Sequence, residues 1–257
     1  MLTFGNDFVK NTFMKNYLSI LIVLSIIYIP AQTKKSVSKN TFQTAAKKSD
    51  LERVNPILPD LIPQRKDGKL GYVNQKGTLI IPHQFKFGTF FYEDCNLLNA
   101  TNEKVRKFGS AEFASVTVDN KDYRINKAGK KAYTFKKEDL GMCEATYIEK
   151  NYYAYIGNGF YGLIDKRAFT NPADYRQYQI YPQFQYLFVM EGDNVDEPMI
   201  IASKNDRFGV IDKNGKTIIP FEYSDIKRNF SWKMAHMFEV TKDGKNYFYI
   251  DENNKAY

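Results

Sequence analysis

The sequence predicts an all-β chain of about five repeats, each made of short antiparallel strands and arranged as a solenoid-like or propeller-like array. Three observations carry this. First, an Ile/Val followed by Asp/Asn recurs at Val73-Asn74, Ile125-Asn126, Ile164-Asp165, Ile211-Asp212 and Ile250-Asp251. The differences between those Ile/Val numbers are 52, 39, 47 and 39, a period near forty that suits stacked or radially arranged units. Second, short apolar runs alternate with turns rich in Gly, Asn and Asp, a hairpin pattern and not a helical one. Third, aromatic content is 16%, with 19 Tyr and 20 Phe against one Trp, which suits strands.

The clearest copy is Arg207–Phe221. Phe208–Ile211 and Thr217–Phe221 bracket Asp212-Lys-Asn-Gly-Lys216, whose Asn-Gly predicts a tight primed hairpin turn with φ > 0 at both residues. Gly71, Gly162 and Gly209 stand two residues before the Ile/Val, where the other copies carry Tyr123 and Phe248. In the third copy the turn swells to the insertion Lys166–Gln179, and Ile180-Tyr-Pro-Gln-Phe184 then parallels Ile80–Phe85 and Ile218–Tyr223. A strand also precedes each copy: Leu61-Ile62, Ser115–Val118, Ala154–Ile156, Met199–Ala202 and Phe238–Val240. Each repeat therefore reads as about three strands. The Pro of Ile-Ile-Pro is expected to end pairing or to sit on an edge. The last copy stops at Tyr257 with its third strand incomplete, which reads as a cap that closes the array.

These residues resemble the WG-repeat family (also called KWG), whose pattern runs aromatic-Gly-hydrophobic-Ile-Asp, turn, Gly-Lys, two hydrophobics, Pro and an aromatic. The match is closest at Phe208–Tyr223, good at Leu70–Phe85 and partial at Phe160–Phe184. The family's Trp is replaced by Phe208, Leu70 and Tyr161, while the sole Trp232 lies outside the motif. The resemblance implies a β-rich repeat scaffold, often exported, with no catalytic residues to carry over.

Upstream of the repeats, Met14–Ala31 holds one Lys and then an apolar core from Tyr17 to Ile29, too short for a comfortable span. It reads as a signal peptide over residues 1–31, with Met14 as an alternative start and cleavage after Ala31; an uncleaved anchor is the alternative. Residues 32–60 read as a flexible polar leader and 61–257 as the repeat domain. Removing residues 1–31 takes away two Lys and one Asp, so +8 becomes +7. That charge suits an anionic envelope surface as well as a soluble protein, and no dense Lys/Arg block argues for nucleic acid. Location is therefore expected to be periplasmic, cell-surface or secreted. In that compartment Cys95 and Cys143 either pair as one disulfide or stay as two buried thiols.

Catalytic and metal chemistry find little support. The repeated Asp/Asn could suggest cation sites, but the alternating oxygens and distal Glu of a calcium loop are missing, so turn capping is the expected role. His83 and His236 are lone. The Gly-x-Gly of residues 157–159 lacks a following helix. Carboxylates such as Glu93, Asp94, Glu191 and Asp193 are scattered. No enzyme activity, cofactor or metal is expected. The aromatics crowd two regions, Tyr147–Tyr161 and Tyr175–Phe188, and most are expected as core. The exception is Tyr175, Arg176 and Tyr178, which sit in a polar loop and form the candidate binding patch. The function expected is a non-enzymatic scaffold that binds a protein partner at the envelope; the alternative is a module that binds a glycan or envelope polymer.

Overall fold

In a computed structural model, the chain divides into two units, Met1–Asp50 and Leu51–Tyr257. Residues 57–144, 148–192 and 194–257 are described, all in the second unit. The signal peptide, the possible start at Met14, the leader up to residue 56, Tyr147 and Asp193 lie outside the described residues.

The described chain forms five antiparallel sheets in sequence order. The first holds β1 (Leu61–Lys66), β2 (Lys69–Asn74) and β3 (Leu79–Phe85). The second holds β4 (Phe87–Gly88), β5 (Phe113–Val118), β6 (Lys121–Asn126) and β7 (Lys131–Thr134). The third holds β8 (Tyr152–Gly157), β9 (Phe160–Asp165) and β10 (Tyr178–Phe184). The fourth holds β11 (Tyr186–Val189), β12 (Ile200–Lys204), β13 (Arg207–Ile211) and β14 (Thr217–Tyr223). The fifth holds β15 (Asp225–Ile226), β16 (Phe238–Thr241) and β17 (Phe248–Ile250). Short helices α1 (Cys95–Leu98) and α2 (Glu103–Arg106) fall between β4 and β5, and α3 (Ser231–Ala235) precedes β16. The sequence reading contained neither these helices nor the two-residue edge strands.

Each Ile/Val-Asp/Asn pair sits at or just after the end of a strand (β2, β6, β9, β13 and β17), and the Asp/Asn caps the turn that follows. Asn74 accepts from the backbone N–H of Lys76 and Thr78 at 2.9 Å each. Asp212 does the same for Asn214 and Lys216, and Asp251 for Asn253 and Lys255. The turn at Asp212 is not the primed hairpin expected of Asn-Gly. Asn214 keeps a negative φ and only Gly215 crosses over, at φ 80°. The Asp side chain has taken over the job of closing the turn. Primed geometry belongs to the other hairpin of the repeat, with φ > 0 at both Asp67-Gly68, Asp119-Asn120, Asn158-Gly159 and Asn205-Asp206.

The repeat's Gly has a steric cause. A Cβ on Gly71 would stand 2.6 Å from the Ile81 carbonyl oxygen, on Gly162 2.5 Å from that of Ile180, and on Gly209 2.7 Å from that of Ile219. In all three sheets the third strand carries a register shift and crosses over the Gly. Pro82, Pro182 and Pro220 lie inside these strands, which are edges, so the missing N–H costs no ladder bond. The second sheet has Tyr123 in the Gly place, and its third strand, β7, has no Pro.

That third strand also sets which sheets are neighbours. After β3, β10 and β14 a single residue (Lys86, Gln185, Ser224) bonds to the next sheet and hands the chain on. The hydrophobic clusters follow. Leu70, Tyr72 and Ile81 pack with Val116 and Ile125 between the first and second sheets. Leu163 and Ile180 pack with Ile200 and Ile211 between the third and fourth. Val210 and Ile219 pack with Phe238 and Val240 between the fourth and fifth. Among the described residues β7 makes no such handover, and no hydrophobic cluster joins the second sheet to the third.

The fifth sheet packs on the first, so the final copy is internal to the packing and not the terminal cap expected. Its two faces are both apolar: Phe238, Val240 and Ile250 meet the fourth sheet, while Met237 and Tyr257 join Ile62, Val73 and Phe90. Phe90 and Tyr249 stack edge to face at 4.8 Å, and Lys255 Nζ donates to the Gln75 carbonyl at 2.6 Å. The body also starts before residue 61, since Gln75 Nε2 donates to the Leu58 carbonyl at 2.8 Å and Lys127 pairs with Asp60 at 3.1 Å.

Candidate functional site

The third sheet has two unlike faces. Period-two alternation sends Tyr152, Leu163, Ile180 and Phe184 toward the fourth sheet, where all are buried. It sends Tyr155 the other way, and the register shift between Tyr178 and Ile180 turns Tyr178, opposite Ile164, to that same outer face. There Tyr155, Phe169 and Tyr178 form a triangle of rings with centroids 5.0, 5.8 and 5.1 Å apart. Tyr181 extends it, edge to face with Tyr178 at 5.7 Å. Edge-to-face contacts of this kind satisfy the ring quadrupoles and hold the array rigid. Partial burial, followed by the neighbouring phenols of Tyr155 and Tyr181, raises the Tyr178 pKa above its ordinary value.

The candidate residues sit on this face in different ways. Residues 166–177 link β9 to β10 and contribute Phe169 to the triangle. Asp174 begins a short 3₁₀ turn, Tyr175–Gln177, by accepting from the Arg176 N–H at 3.2 Å. Tyr175 is 69% exposed and touches none of the other rings. Arg176 folds back on Asp174, with Nε to Oδ1 at 2.8 Å and Nη2 to Oδ2 at 3.1 Å. That hydrogen-bonded pairing raises the arginine pKa and lowers the aspartate's. Tyr178 belongs to the ring cluster, its hydroxyl donating to the Pro172 carbonyl at 3.1 Å. The structure thus brings Tyr178 together with Tyr155, Phe169 and Tyr181, and leaves Tyr175 and Arg176 as exposed groups beside them. Phe169 and Tyr181 were missed as site residues; the alternation of β10 around the buried Ile180 was the signal for Tyr181.

The other aromatics named from sequence are largely core. Phe184 and Tyr161 pack in the third–fourth cluster, Tyr186 and Phe188 against the fourth–fifth cluster. His83 faces Gln64 at 3.1 Å, and His236 ends α3 in the left-handed region, its ring against Trp232. Asp94 begins α1 by accepting from Asn96 and Leu97, and Glu191 lies 3.7 Å from Lys233. Cys95 and Cys143 are joined as a disulfide with Cα atoms 5.4 Å apart, linking α1 to the segment after β7. Among the described residues no group of His, Cys, Asp and Glu comes together to hold a metal ion. Nor, among them, is any helix long and apolar enough to cross a membrane. A hollow of about 490 Å³ lies between β8, β11 and α3, but its lysines are engaged, Lys150 with the Val189 carbonyl at 3.0 Å and Lys233 with Glu191.

The model of the WG containing repeat family matches residues 71–95 and 208–245. Those two segments are WG-containing repeats. The two matched WG segments begin at the Gly-bearing central strands of the first and fourth sheets, the two whose turn and Pro-bearing strand are least interrupted. Trp232, absent from the motif itself, falls inside the second WG segment, where it stacks on Phe238 at 4.8 Å. No curated protein matches the chain.

Proposed function

We propose that this chain is a non-catalytic, exported scaffold that binds a protein partner through the outer aromatic face of its third sheet. The observation that carries the reading is the rigid cluster of Tyr155, Phe169, Tyr178 and Tyr181, with Tyr175 standing free beside it. Rigid tyrosines provide large contact area at small entropic cost, which is why they recur as anchors of interfaces. The architecture in this reading is an open, solenoid-like stack in the order third, fourth, fifth, first, second sheet. Its support is the pattern of hydrophobic clusters and the missing handover after β7. An exported location, periplasmic, cell-surface or secreted, is supported by the apolar Tyr17–Ile29 stretch and by the disulfide, which persists in oxidising compartments. A scaffold of this kind needs no cofactor and no nucleic acid.

The test is photo-crosslinking from position 175 in intact cells, with mass spectrometry of the adducts. A discrete protein adduct is expected, weakened about tenfold by Arg176→Ala and Tyr178→Ala together. Equal adduct yield in that double variant, or no protein adduct, contradicts the reading.

A further inference from the structure

The third strands of three sheets can be superposed residue by residue from their pairing. Ile81, Ile180 and Ile219 face Tyr72, Leu163 and Val210, while Phe85, Phe184 and Tyr223 face Leu70, Tyr161 and Phe208. The outward residues between and before these anchors are Ile80, Pro82 and Gln84 in the first sheet, and Ile218, Pro220 and Glu222 in the fourth. In the third sheet they are Gln179, Tyr181 and Gln183, all exposed. The Pro has slipped one place, to Pro182, and a tyrosine stands where both sibling strands carry an exposed Pro. The fold does not ask for this change, since the sibling strands cross their Gly equally closely without it.

The changed residues line one groove. It has a volume of about 390 Å³ and runs along the seam between the third and fourth sheets. Gln179, Tyr181 and Gln183 form one wall, and Asn214, Thr217 and Lys204 the other. Phe184 and Phe221 stack between the two sheets, 6.1 Å apart and 13° from parallel. Gln179 Nε2 bridges to Asn214 Oδ1 at 3.3 Å across one end. Three amides and a hydroxyl offer donors and acceptors together, beside one open aromatic ring. Among the described residues no carboxylate lines the groove, and Lys204 is its one cation.

We infer that this groove binds a neutral polysaccharide strand. Sugar hydroxyls are donors and acceptors at once, and amide side chains meet both needs without charge. The apolar C–H face of a sugar ring suits the exposed ring of Tyr181, 51% accessible and held in place by Tyr178. An anionic polymer would call for several cations where the groove has one. Without a flanking pair of carboxyl groups the groove holds the strand and does not cleave it. The site is distinct from the protein-binding rim at Tyr175, and Tyr181 is where the two surfaces meet.

The test is native gel electrophoresis of the full chain in gels containing a soluble β-glucan, an α-glucan, a mannan or a xylan, with alginate as the anionic comparison. Retardation by at least one neutral polymer is expected. Its dissociation constant should rise about tenfold in Tyr181→Ala and a few-fold in Gln183→Ala with Asn214→Ala. Urea midpoints of the variants are read alongside, and the Gln183/Asn214 variant, which alters only exposed groups, keeps the test valid if Tyr181→Ala weakens the fold. Retardation by no neutral polymer, by alginate alone, or equally in both variants overturns the inference. Crosslinking from position 175 in the Gln183/Asn214 variant separates the two sites: a protein adduct that persists while sugar binding is lost leaves the scaffold reading standing, and the reverse outcome removes that reading alone.

Discussion

The second and third sheets each turn one face away from the rest of the clusters, and the two faces are finished in opposite ways. On the second sheet, residues 91–112 fold over the face, with Leu97, Ala100 and Val105 packed against Phe108, Tyr133 and Phe135. Beneath them lies Arg124, 2% exposed. Its guanidinium donates to the Phe108 carbonyl at 2.8 Å, the Ser110 carbonyl at 2.9 Å, the Tyr92 carbonyl at 3.1 Å and Ser115 Oγ at 3.1 Å. Burial pulls its pKa down, and the charge of Asp94 works against that. On the third sheet the matching face carries, among the described residues, its own stacked rings and the 166–177 loop. One insertion thus closes an exposed sheet face by tying its irregular backbone to a buried cation. The other leaves aromatic area open. A chain with a purely structural need to finish its sheets would treat both faces alike, so the difference is itself the argument for binding at the third.

The comparison is broken most severely at Arg124. Arg124→Met leaves three carbonyls without their donor and should cost about 3–5 kcal/mol in urea unfolding, while Tyr175→Ala is near neutral. A cost under about 1 kcal/mol would mean that residues 91–112 are not held by the guanidinium. Next comes the disulfide, which fixes the same cover from its other end. Cys95→Ser with Cys143→Ser should lower stability by about 2–4 kcal/mol and increase hydrogen exchange in residues 94–109 more than in β8–β10.

Gly162→Ala places a methyl against the Ile180 carbonyl and should cost about 1–3 kcal/mol, with loss of binding at the third-sheet face because β10 is displaced. Tyr123→Ala, at the equivalent place in the second sheet, meets no such crossing strand and should show no backbone clash. Alkaline titration sharpens the contrast further. Burial and the hydrogen bond to Asp139 push Tyr133 from 10.0 up to about 12. Its folded value lies above its unfolded one, so its contribution is complete below pH 10 and is lost as pH rises to about 12. Phenolate absorbance should therefore show Tyr133 ionising together with loss of structure over that range, and Tyr133→Phe should shift the loss. The smallest effect is Tyr175→Ala on stability, under about 0.5 kcal/mol, with its consequence confined to partner binding.

Much of this was legible in the sequence. The five Ile/Val-Asp/Asn pairs mark the five sheets, and Asx capping follows from residue type. The coincidence of Gly with a downstream Ile and Pro, adjacent in the first and fourth copies, one residue apart in the third and missing in the second and fifth, encodes which sheets carry a crossing third strand. Only its meaning for neighbour order required coordinates, because the handover depends on one residue bonding to the next sheet. The packing of the fifth sheet on the first joins residues more than 150 positions apart, such as Lys255 and Gln75, and local pattern carries no trace of it. Arg124 reads as an ordinary strand arginine, since its partners are backbone carbonyls of a distant loop. At the site, Tyr175, Arg176 and Tyr178 were reached through loop polarity, which finds exposed groups. Phe169 and Tyr181 were missed because one is an apolar residue inside the insertion and the other looked like part of the Ile-Pro motif.

The unequal finish of the two faces is tested most directly by hydroxyl-radical footprinting of the isolated chain with residue-level mass spectrometry. Tyr175, Tyr181 and Phe160, at 69%, 51% and 47% exposure, should be modified several-fold faster than Phe108, Tyr133 and Phe135. Equal protection of both sets would mean that the third-sheet face is covered as the second is, and the proposed binding surface would not exist.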